Sequence, residues 1–313
     1  MKKLFGFIMI ISILLSFWGC SKEEAEDNTA FGPENKMSIV STIGMIGDVA
    51  QEIGGDRVSV YTMMGPGIDP HLYKAKTGDL ERLNNADLIL YNGIHLEAKM
   101  ADVLEKLAAT RNVRAVAETV GEEELLIEEG AYDPHVWFDV DKWKIASGAI
   151  LEALISTDPE GEIVYQENYR NYETKLTELD AYVRERAGEL PAESRILITA
   201  HDAFNYFGEA YGFEVRGLQG ISTVDEAGTG DVRDLADFIA DNRVGALFVE
   251  TSVSPKSIEA LRAAVNDRGW DIQIGGELFS DAMGDAGTPE GTYLGMVRHN
   301  IDTIVAGLAV KEE

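Results

Sequence analysis

Along most of the chain, the spacing of hydrophobic and polar positions switches between the pattern of a strand and the pattern of a helix. Short runs rich in β-branched residues, typical of strands, are separated by stretches of roughly 8–13 residues whose apolar positions recur with the helical period. This alternation indicates βαβ units with mainly parallel sheets. Strands are predicted at residues 38–43, 57–62, 87–91, 113–117, 195–199, 213–217, 245–250 and 271–274, and helices at residues 78–84, 97–109, 231–241, 255–267 and 290–308.

One segment near the middle of the chain has a longer helical pattern. Its apolar residues are spaced alternately by four and three, which places them on one face of a continuous helix. A helix of about 28 residues is roughly 40 Å long, enough to contact two lobes. We predict an α/β fold with two Rossmann-like lobes, residues 37–158 and 189–313, joined by one long rigid helix, residues 159–188, and small lobe movements. The apolar face consists of Tyr165, Tyr169, Tyr172, Leu176, Leu179 and Val183.

The amino-terminal end has the pattern of an export signal. Lys2 and Lys3 precede an apolar run that ends at Gly19-Cys20 and, at about 14 residues, is short for a membrane span. Cys20 is the only cysteine in the sequence, so an intrachain disulfide is excluded. A cysteine that closes an apolar run resembles a bacterial lipobox, although Phe17-Trp18 departs from its usual residues. We predict a signal peptide over residues 1–19, lipid on Cys20 and a flexible tether over residues 20–36, with plain secretion as the alternative.

The charge balance excludes one class of function. The chain has 55 acidic and 27 basic residues and a formal net charge of −28. Nucleic-acid binding requires a basic surface, so we expect no nucleic-acid partner. An acidic surface attracts cations in a general way, but it equally serves solubility, so charge alone does not identify a site.

Two of the five histidines lie in the same tripeptide, Asp69-Pro70-His71 and Asp133-Pro134-His135. Proline fixes its own φ angle and pushes the preceding residue into an extended conformation, so each histidine is held in a stiff turn. Histidine is the commonest metal ligand among side chains. Alternatively, each histidine is an ordinary hydrogen-bonded residue, and each aspartate either orients an imidazole or only forms the turn.

Four residues that can bind a metal follow predicted strands or the acidic loop of the first lobe. Ligands of open α/β sheets bind at the carboxyl ends of strands, so we predict a metal site in the cleft, with two residues from each lobe. Three imidazoles and one carboxylate suit zinc or manganese, and a carboxylate bound through both oxygens would give five contacts. The predicted ligands are His71, His135, His201 and Asp281.

The remaining histidines are predicted to have other roles. His95, which follows the predicted strand at 87–91, is interpreted as a helix-start residue or one behind the ligands. His299 lies in the last predicted helix, where a surface or packing role is the simplest interpretation.

Several segments together resemble the TroA-like (cluster A-I) metal-binding solute-binding proteins of bacterial manganese and zinc ABC importers. The resemblance covers the chain from about residue 38 onward. The segments are Gly67-Ile68-Asp69-Pro70-His71, Asn92-Gly93-Ile94-His95-Leu96-Glu97, Asp133-Pro134-His135-Val136-Trp137, His201-Asp202-Ala203-Phe204, Phe248-Val249-Glu250-Thr251-Ser252 and Gly276-Glu277-Leu278-Phe279-Ser280-Asp281-Ala282-Met283.

The resemblance implies a function and a ligand set. The family's first and second ligand histidines match His71 and His135, its closing aspartate matches Asp281, and its third ligand, His or Glu, matches His201. Zinc-dedicated members often have a His-rich loop, but residues 118–129 contain six glutamates and no histidine. We therefore favour Mn²⁺ over Zn²⁺ as the transported ion, with a zinc-specific importer component as the alternative.

The resemblance also implies a location and partners, and two other functions compete with metal import. We expect an exported, lipid-anchored monomer facing the periplasm or the cell exterior, an ABC permease and its ATPase as partners, and no organic cofactor. A metal-dependent hydrolase with an open coordination position is the rival from another class, although the chain has no His-Glu-x-x-His motif. An adhesin is a second rival, and the sequence contains no distinct adhesive module.

Overall fold

The first half of the chain forms a parallel sheet, as predicted. The structure is a computed structural model that describes residues 30–128 and 130–309. The strand order is β2-β1-β3-β4, and central β1 places Ile39 beside Val60 and Leu88 of its two neighbours. Helices cover both faces of such a sheet, which explains why its strands are apolar almost throughout. The strands are β1 (Met37–Ile43), β2 (Val58–Met64), β3 (Leu88–Tyr91) and β4 (Val113–Ala115).

A second parallel sheet follows in the other half, after a small antiparallel ladder. The ladder pairs β5 (Ile127–Glu128) with β6 (Ala131–Tyr132), in a region for which no strand was predicted. The second sheet has the order β10-β9-β7-β8. Its strands are β7 (Ile196–His201), β8 (Glu214–Gln219), β9 (Ala246–Glu250) and β10 (Gln273–Leu278).

Helices connect the strands and cover the sheets. We call each four-stranded sheet with its helices a lobe. The described residues contain the α-helices α1 (Gly44–Gly54), α2 (Thr77–Asn85), α3 (Ala101–Ala108), α4 (Val140–Thr157), α5 (Glu162–Gly188), α6 (Asn205–Tyr211), α7 (Thr229–Asn242), α8 (Lys256–Asn266) and α9 (Tyr293–Leu308).

The predicted helix at 97–109 begins later, because a turn occupies its first residues. Gly93, Ile94 and His95 have φ angles of 85°, 52° and 64°, a left-handed run that is uncommon for residues other than glycine. The carboxylate of Glu97 accepts hydrogen bonds from the backbone N–H groups of Asn92 and Gly93, at 2.7 and 3.1 Å. A short 3₁₀ turn then leads into α3.

Strand β10 continues four residues beyond the prediction, past Gly275 and Gly276. Glycine weakens a strand pattern, so the predicted run ended before it. In the structure a Cβ on Gly276 would lie 2.3 Å from Cγ2 of Thr303 on α9. The glycine therefore lets α9 pack closely on the strand that leads to Asp281.

Helix α5 is the predicted connection between the lobes, and its 27 residues make it the longest described helix. It packs against α1, α4 and α9. The apolar face is buried as predicted, except that Tyr169 is half-buried. One continuous hydrophobic core includes residues of both lobes and of α5. That continuity is consistent with the small lobe movements that we predict.

The described part of the chain contains no helix long and apolar enough to cross a membrane. Residues from Phe31 onward belong to one compact unit, and Phe31 packs against its core. The predicted signal peptide (1–19) and lipid-bearing Cys20 lie outside the described residues, as does most of the predicted tether.

Candidate metal centre

The four predicted ligands meet at one point, from loops and strand ends that follow β2, β6, β7 and β10. His71 lies in the loop between β2 and α2, and His135 lies just after β6. His201 is the last residue of β7, and Asp281 follows β10. All four side chains are buried, with His71 the most exposed at 2%. One ligand atom from each lies within 4.8 Å of every other.

The distances between these atoms match the size of a coordination shell. His71 Nε2 lies 3.3 Å from His135 Nε2, and His201 Nε2 lies 3.3 Å from Asp281 Oδ2. Asp281 Oδ1 lies 3.5 Å from His135 Nε2, and Asp281 Oδ2 lies 3.7 Å from His71 Nε2. Bonds of about 2.0–2.1 Å in a tetrahedral shell would separate ligand atoms by about 3.3–3.4 Å. The cluster therefore has room for one ion at its centre.

Among the described residues, three buried atoms of the cluster have no hydrogen-bond partner: His201 Nε2 and both carboxylate oxygens of Asp281. Burying such atoms without a partner costs free energy, about 1–3 kcal/mol for a neutral group and more for a charged one. A metal ion would satisfy all three. The donor set therefore fits a cation, and both oxygens of Asp281 are available to it.

Two of the three imidazoles are oriented by carboxylates. His135 Nδ1 donates to Asp133 Oδ1 at 2.7 Å, and His201 Nδ1 donates to Glu250 Oε2 at 2.6 Å. An ionised carboxylate only accepts, so each of these imidazoles has a proton on Nδ1, and Nε2 is the ring nitrogen that faces the cluster. These two histidines are thus prepared for metal binding through Nε2.

The two aspartates of the repeated tripeptide have different roles. Each forms the expected turn, with Oδ1 accepting from the backbone N–H of the histidine two residues later, at 2.8 Å for Asp69 and 2.9 Å for Asp133. Asp133 also orients the imidazole of His135, whereas the Asp69 carboxylate bonds the backbone N–H of His71 but not its imidazole. The sequence left open whether these aspartates orient the imidazoles, and in the structure Asp133 does so whereas Asp69 does not.

The pKa values of His71 and His201 are shifted in opposite directions by their surroundings. Burial lowers the pKa of His71 to about 3, against the attraction of Asp281, so this imidazole is neutral. Burial also opposes charge on His201, but Glu250 and Asp281 outweigh it and raise the pKa of His201 well above its usual value. Burial would raise the pKa of Asp281, but the imidazoles, led by His201, hold it below its usual range. The carboxylate is therefore ionised.

Sequence reasoning assigned no role to two residues next to the ligands. Glu250 ends β9, the strand beside β7, so its position at a buried strand end was a usable signal. Trp137 donates from Nε1 to the carbonyl oxygen of Ser280, at 3.1 Å, and its ring lies 5.2 Å from that of His135. It therefore ties the segment of Asp281 to the first lobe, a contact that no local pattern indicates.

The other two described histidines lie outside the cluster. His95 is exposed in the left-handed turn before α3, so it neither binds with the four ligands nor begins the helix. His299 packs edge-on against Phe279, with ring centres 5.0 Å apart, and its Nε2 lies 3.0 Å from the carbonyl oxygen of Glu277. These contacts agree with the surface or packing role that we predicted.

Two parallel α/β lobes on one long helix, with a buried site of three histidines and one aspartate, define a metal-binding solute-binding protein of the kind that serves ABC importers. The family model of ZnuA, the periplasmic component A of a zinc-uptake complex, matches residues 39–307. The chain belongs to this family, whose members are transporter components and not enzymes.

Individual relatives agree with this assignment. The chain is 55% identical to the zinc-binding protein TroA of Treponema pallidum over 277 residues, which is 88% of this chain and 90% of that protein. A solved structure of TroA superposes with a TM-score of 0.87 and covers 88% of this chain and 100% of that one. The manganese-binding lipoprotein MntA of Bacillus subtilis is 43% identical over 93% of this chain and 94% of its own length.

Proposed function

We propose that the protein binds one divalent ion, Mn²⁺ in preference to Zn²⁺, in the cleft between its lobes and delivers it to an ABC permease. The observation that carries this proposal is the buried cluster whose ligand atoms are spaced as a coordination shell. The proposed ligands are His71, His135, His201 and Asp281.

The charges around the cluster support a divalent cation. Asp281 is ionised inside the cluster, and Asp133 and Glu250 bond the far sides of two imidazoles. Buried carboxylates are costly unless a positive charge compensates them. A dication provides that compensation.

The donor set also supports manganese. Both oxygens of Asp281 face imidazoles, which allows five contacts instead of the four of a closed zinc site. Carboxylate suits manganese, and no thiolate is present to favour zinc. Zinc remains the alternative, because imidazole binds it well and the named relatives include one zinc-binding and one manganese-binding protein.

Delivery requires export and a membrane partner. We propose that residues 1–19 direct export, that lipid on Cys20 anchors the chain, and that residues 20–36 tether the two lobes (37–158 and 189–313) and their linking helix (159–188). The protein would act as a monomer facing the periplasm or the cell exterior. The permease receives the ion, and its ATPase supplies the energy.

Competition between Mn²⁺ and Zn²⁺ for the metal-stripped protein tests the proposal. Elemental analysis should find one ion per chain, and the bound ion should raise the melting temperature because it binds the folded state. A protein that binds neither ion would contradict the function. Zinc can bind more tightly in vitro whatever ion the cell imports, so uptake by a deletion strain decides between them. Rescue of manganese uptake by the gene is expected, and rescue of zinc uptake alone would overturn the preference.

A further inference from the structure

The second carboxylate oxygen of each Asp-Pro-His aspartate reaches the opposite lobe. Asp69 Oδ2 accepts a hydrogen bond from the hydroxyl of Thr223, at 2.5 Å, and Asp133 Oδ2 accepts one from Asn205 Nδ2, at 3.1 Å. Asp69 and Asp133 belong to the first lobe, whereas Thr223 and Asn205 follow strands of the second. Each tripeptide thus joins a ligand histidine to the other side of the cleft.

These two hydrogen bonds between the lobes differ in how deeply they are buried. Asp133 is completely buried, and its carbonyl oxygen also accepts from Tyr206 on α6, at 2.9 Å. The next residue, Pro134, accepts from Asn92 Nδ2 at 3.0 Å. Several contacts therefore hold His135, whatever the Asp133–Asn205 bond contributes.

The hydrogen bond between Asp69 and Thr223 lies at the rim of the cleft. Thr223 belongs to the segment between β8 and α7, and it is 7% exposed although the adjacent Val224 is 39% exposed. On the other side, Ile68 and Leu72 are exposed on either side of Asp69 and His71. The bond therefore joins the buried Thr223, which lies in an otherwise exposed segment, to Asp69, which lies in an exposed loop.

An ion in the cluster can reach solvent only if a ligand segment moves, because every ligand side chain is nearly inaccessible. His201 lies in an inner strand of its sheet. Trp137 and Ser252 hold Ser280, next to Asp281. The loop that carries His71 and the segment that carries Asp281 both follow edge strands, but the two contacts to Ser280 restrain the Asp281 segment, so the His71 loop is the freer of the two to move.

We propose that Asp69 and Thr223 form a latch between the lobes and that Asp69 is a positioning residue that sets how long a bound ion stays. This inference rests on the proposed function. Moving His71 outward breaks the latch, so the latch stabilises the bound state and not the state from which the ion leaves. A hydrogen bond to a charged group is strong enough to slow dissociation about tenfold. Association changes less, because the ion enters while the latch is open.

Thr223→Val in the full chain tests the latch, because valine keeps the shape of threonine and removes the hydroxyl. Dissociation of Mn²⁺ into a chelator is followed by stopped flow. Thr223→Val should release the ion about tenfold faster, with one ion still bound per chain at saturation. Thr223→Ser, which keeps the hydroxyl, should restore the slow rate. The matched control is Thr177→Val, since Thr177 is exposed on α5 and its hydroxyl bonds Glu173 of the same helix.

A double-mutant cycle with Asp69→Asn distinguishes the latch from a general loss of structure. The two substitutions should accelerate release by less than the product of their separate effects, because they remove one shared contact. Wild-type dissociation from Thr223→Val, or failure of Thr223→Ser to restore the rate, would overturn the latch while leaving the metal site intact. Failure of the wild-type chain to bind Mn²⁺ or Zn²⁺ would instead overturn the proposed function.

Discussion

The two Asp-Pro-His segments have the same residues and the same turn, but the surrounding structure gives them different tasks. Around His135, Asp133 bonds the imidazole, the backbone and Asn205 of the other lobe. Around His71, Asp69 bonds the backbone and Thr223 but leaves the imidazole free of a carboxylate partner on Nδ1. The tripeptide therefore determines the local turn, and tertiary contacts determine whether a ligand is deeply fixed or held at the rim.

Removing a deeply fixed ligand should have the largest effect. His135→Ala should lower metal affinity by more than about 100-fold while the fold survives, because a direct ligand contributes more than the groups behind it. Isothermal titration with Mn²⁺ measures the affinity, and circular dichroism verifies the fold. His95→Ala is the matched control, since His95 is exposed and lies outside the cluster. Unchanged affinity and stoichiometry in His135→Ala would refute the ligand set.

Substituting the two aspartates compares the segments directly. Asp133→Asn should weaken binding about 10–100-fold, because the amide no longer holds the His135 tautomer and ring orientation. Asp69→Asn should weaken binding by about tenfold or less, and mainly through faster dissociation. Equilibrium titration and stopped-flow release, performed on both variants, separate these effects. Equal losses from the two substitutions would show that the segments do not differ as described.

Proton release on metal binding should distinguish His201, which lies deep in the second lobe, from His71, which lies at the rim. The raised pKa of His201 means that its imidazole is protonated on both nitrogens at neutral pH in the metal-free protein, whereas the imidazole of His71, with a pKa of about 3, is neutral and has only one N–H. Metal binding requires deprotonated Nε2, so it should release about one proton at pH 7, and affinity should increase as pH rises.

Calorimetry in two buffers of different ionisation enthalpy measures this release. Glu250 is the group that raises the pKa of His201 most, so Glu250→Gln should reduce the number of protons released on metal binding. A binding enthalpy that is independent of the buffer would contradict the assigned protonation.

The smallest effect on binding is expected from the contact between Trp137 and Ser280. Trp137→Phe leaves a carbonyl oxygen without its donor and should lower the free energy of unfolding by about 1–3 kcal/mol. Metal affinity should fall by only a few fold, because no ligand atom is removed. Trp270→Phe is the matched control, since Nε1 of Trp270 bonds the Val244 carbonyl oxygen at 2.9 Å. It should lose similar stability in urea denaturation without a change in affinity; an equal affinity loss in both variants would remove the special role of Trp137.

Local patterns were sufficient for the two sheets, the long helix and the grouping of the four candidate ligands. Strand ends at one edge of a sheet converge whatever the details of packing, so His201 and Asp281 could be placed together from position alone. The boundaries were less accurate where a distant contact overrides a local preference. Glu97, for example, closes a turn and delays α3, and Gly276 accommodates Thr303 inside a strand.

The contacts that surround the ligands were beyond sequence reasoning for a physical reason. Glu250 and Thr223 are separated from their partners by 49 and 154 residues, so no spacing or periodicity relates them. A carboxylate behind an imidazole is common in metal sites, but the chain has many acidic residues that could take that position. Only the packed structure selects Glu250.

Anomalous X-ray diffraction from crystals of the Mn²⁺-loaded protein tests the metal site most directly. One strong peak is expected between the lobes, within about 2.0–2.3 Å of Nε2 of each of the three histidines and of at least one oxygen of Asp281. A peak at another place, or full occupancy with any one of the four residues out of bonding distance, would contradict the proposed site.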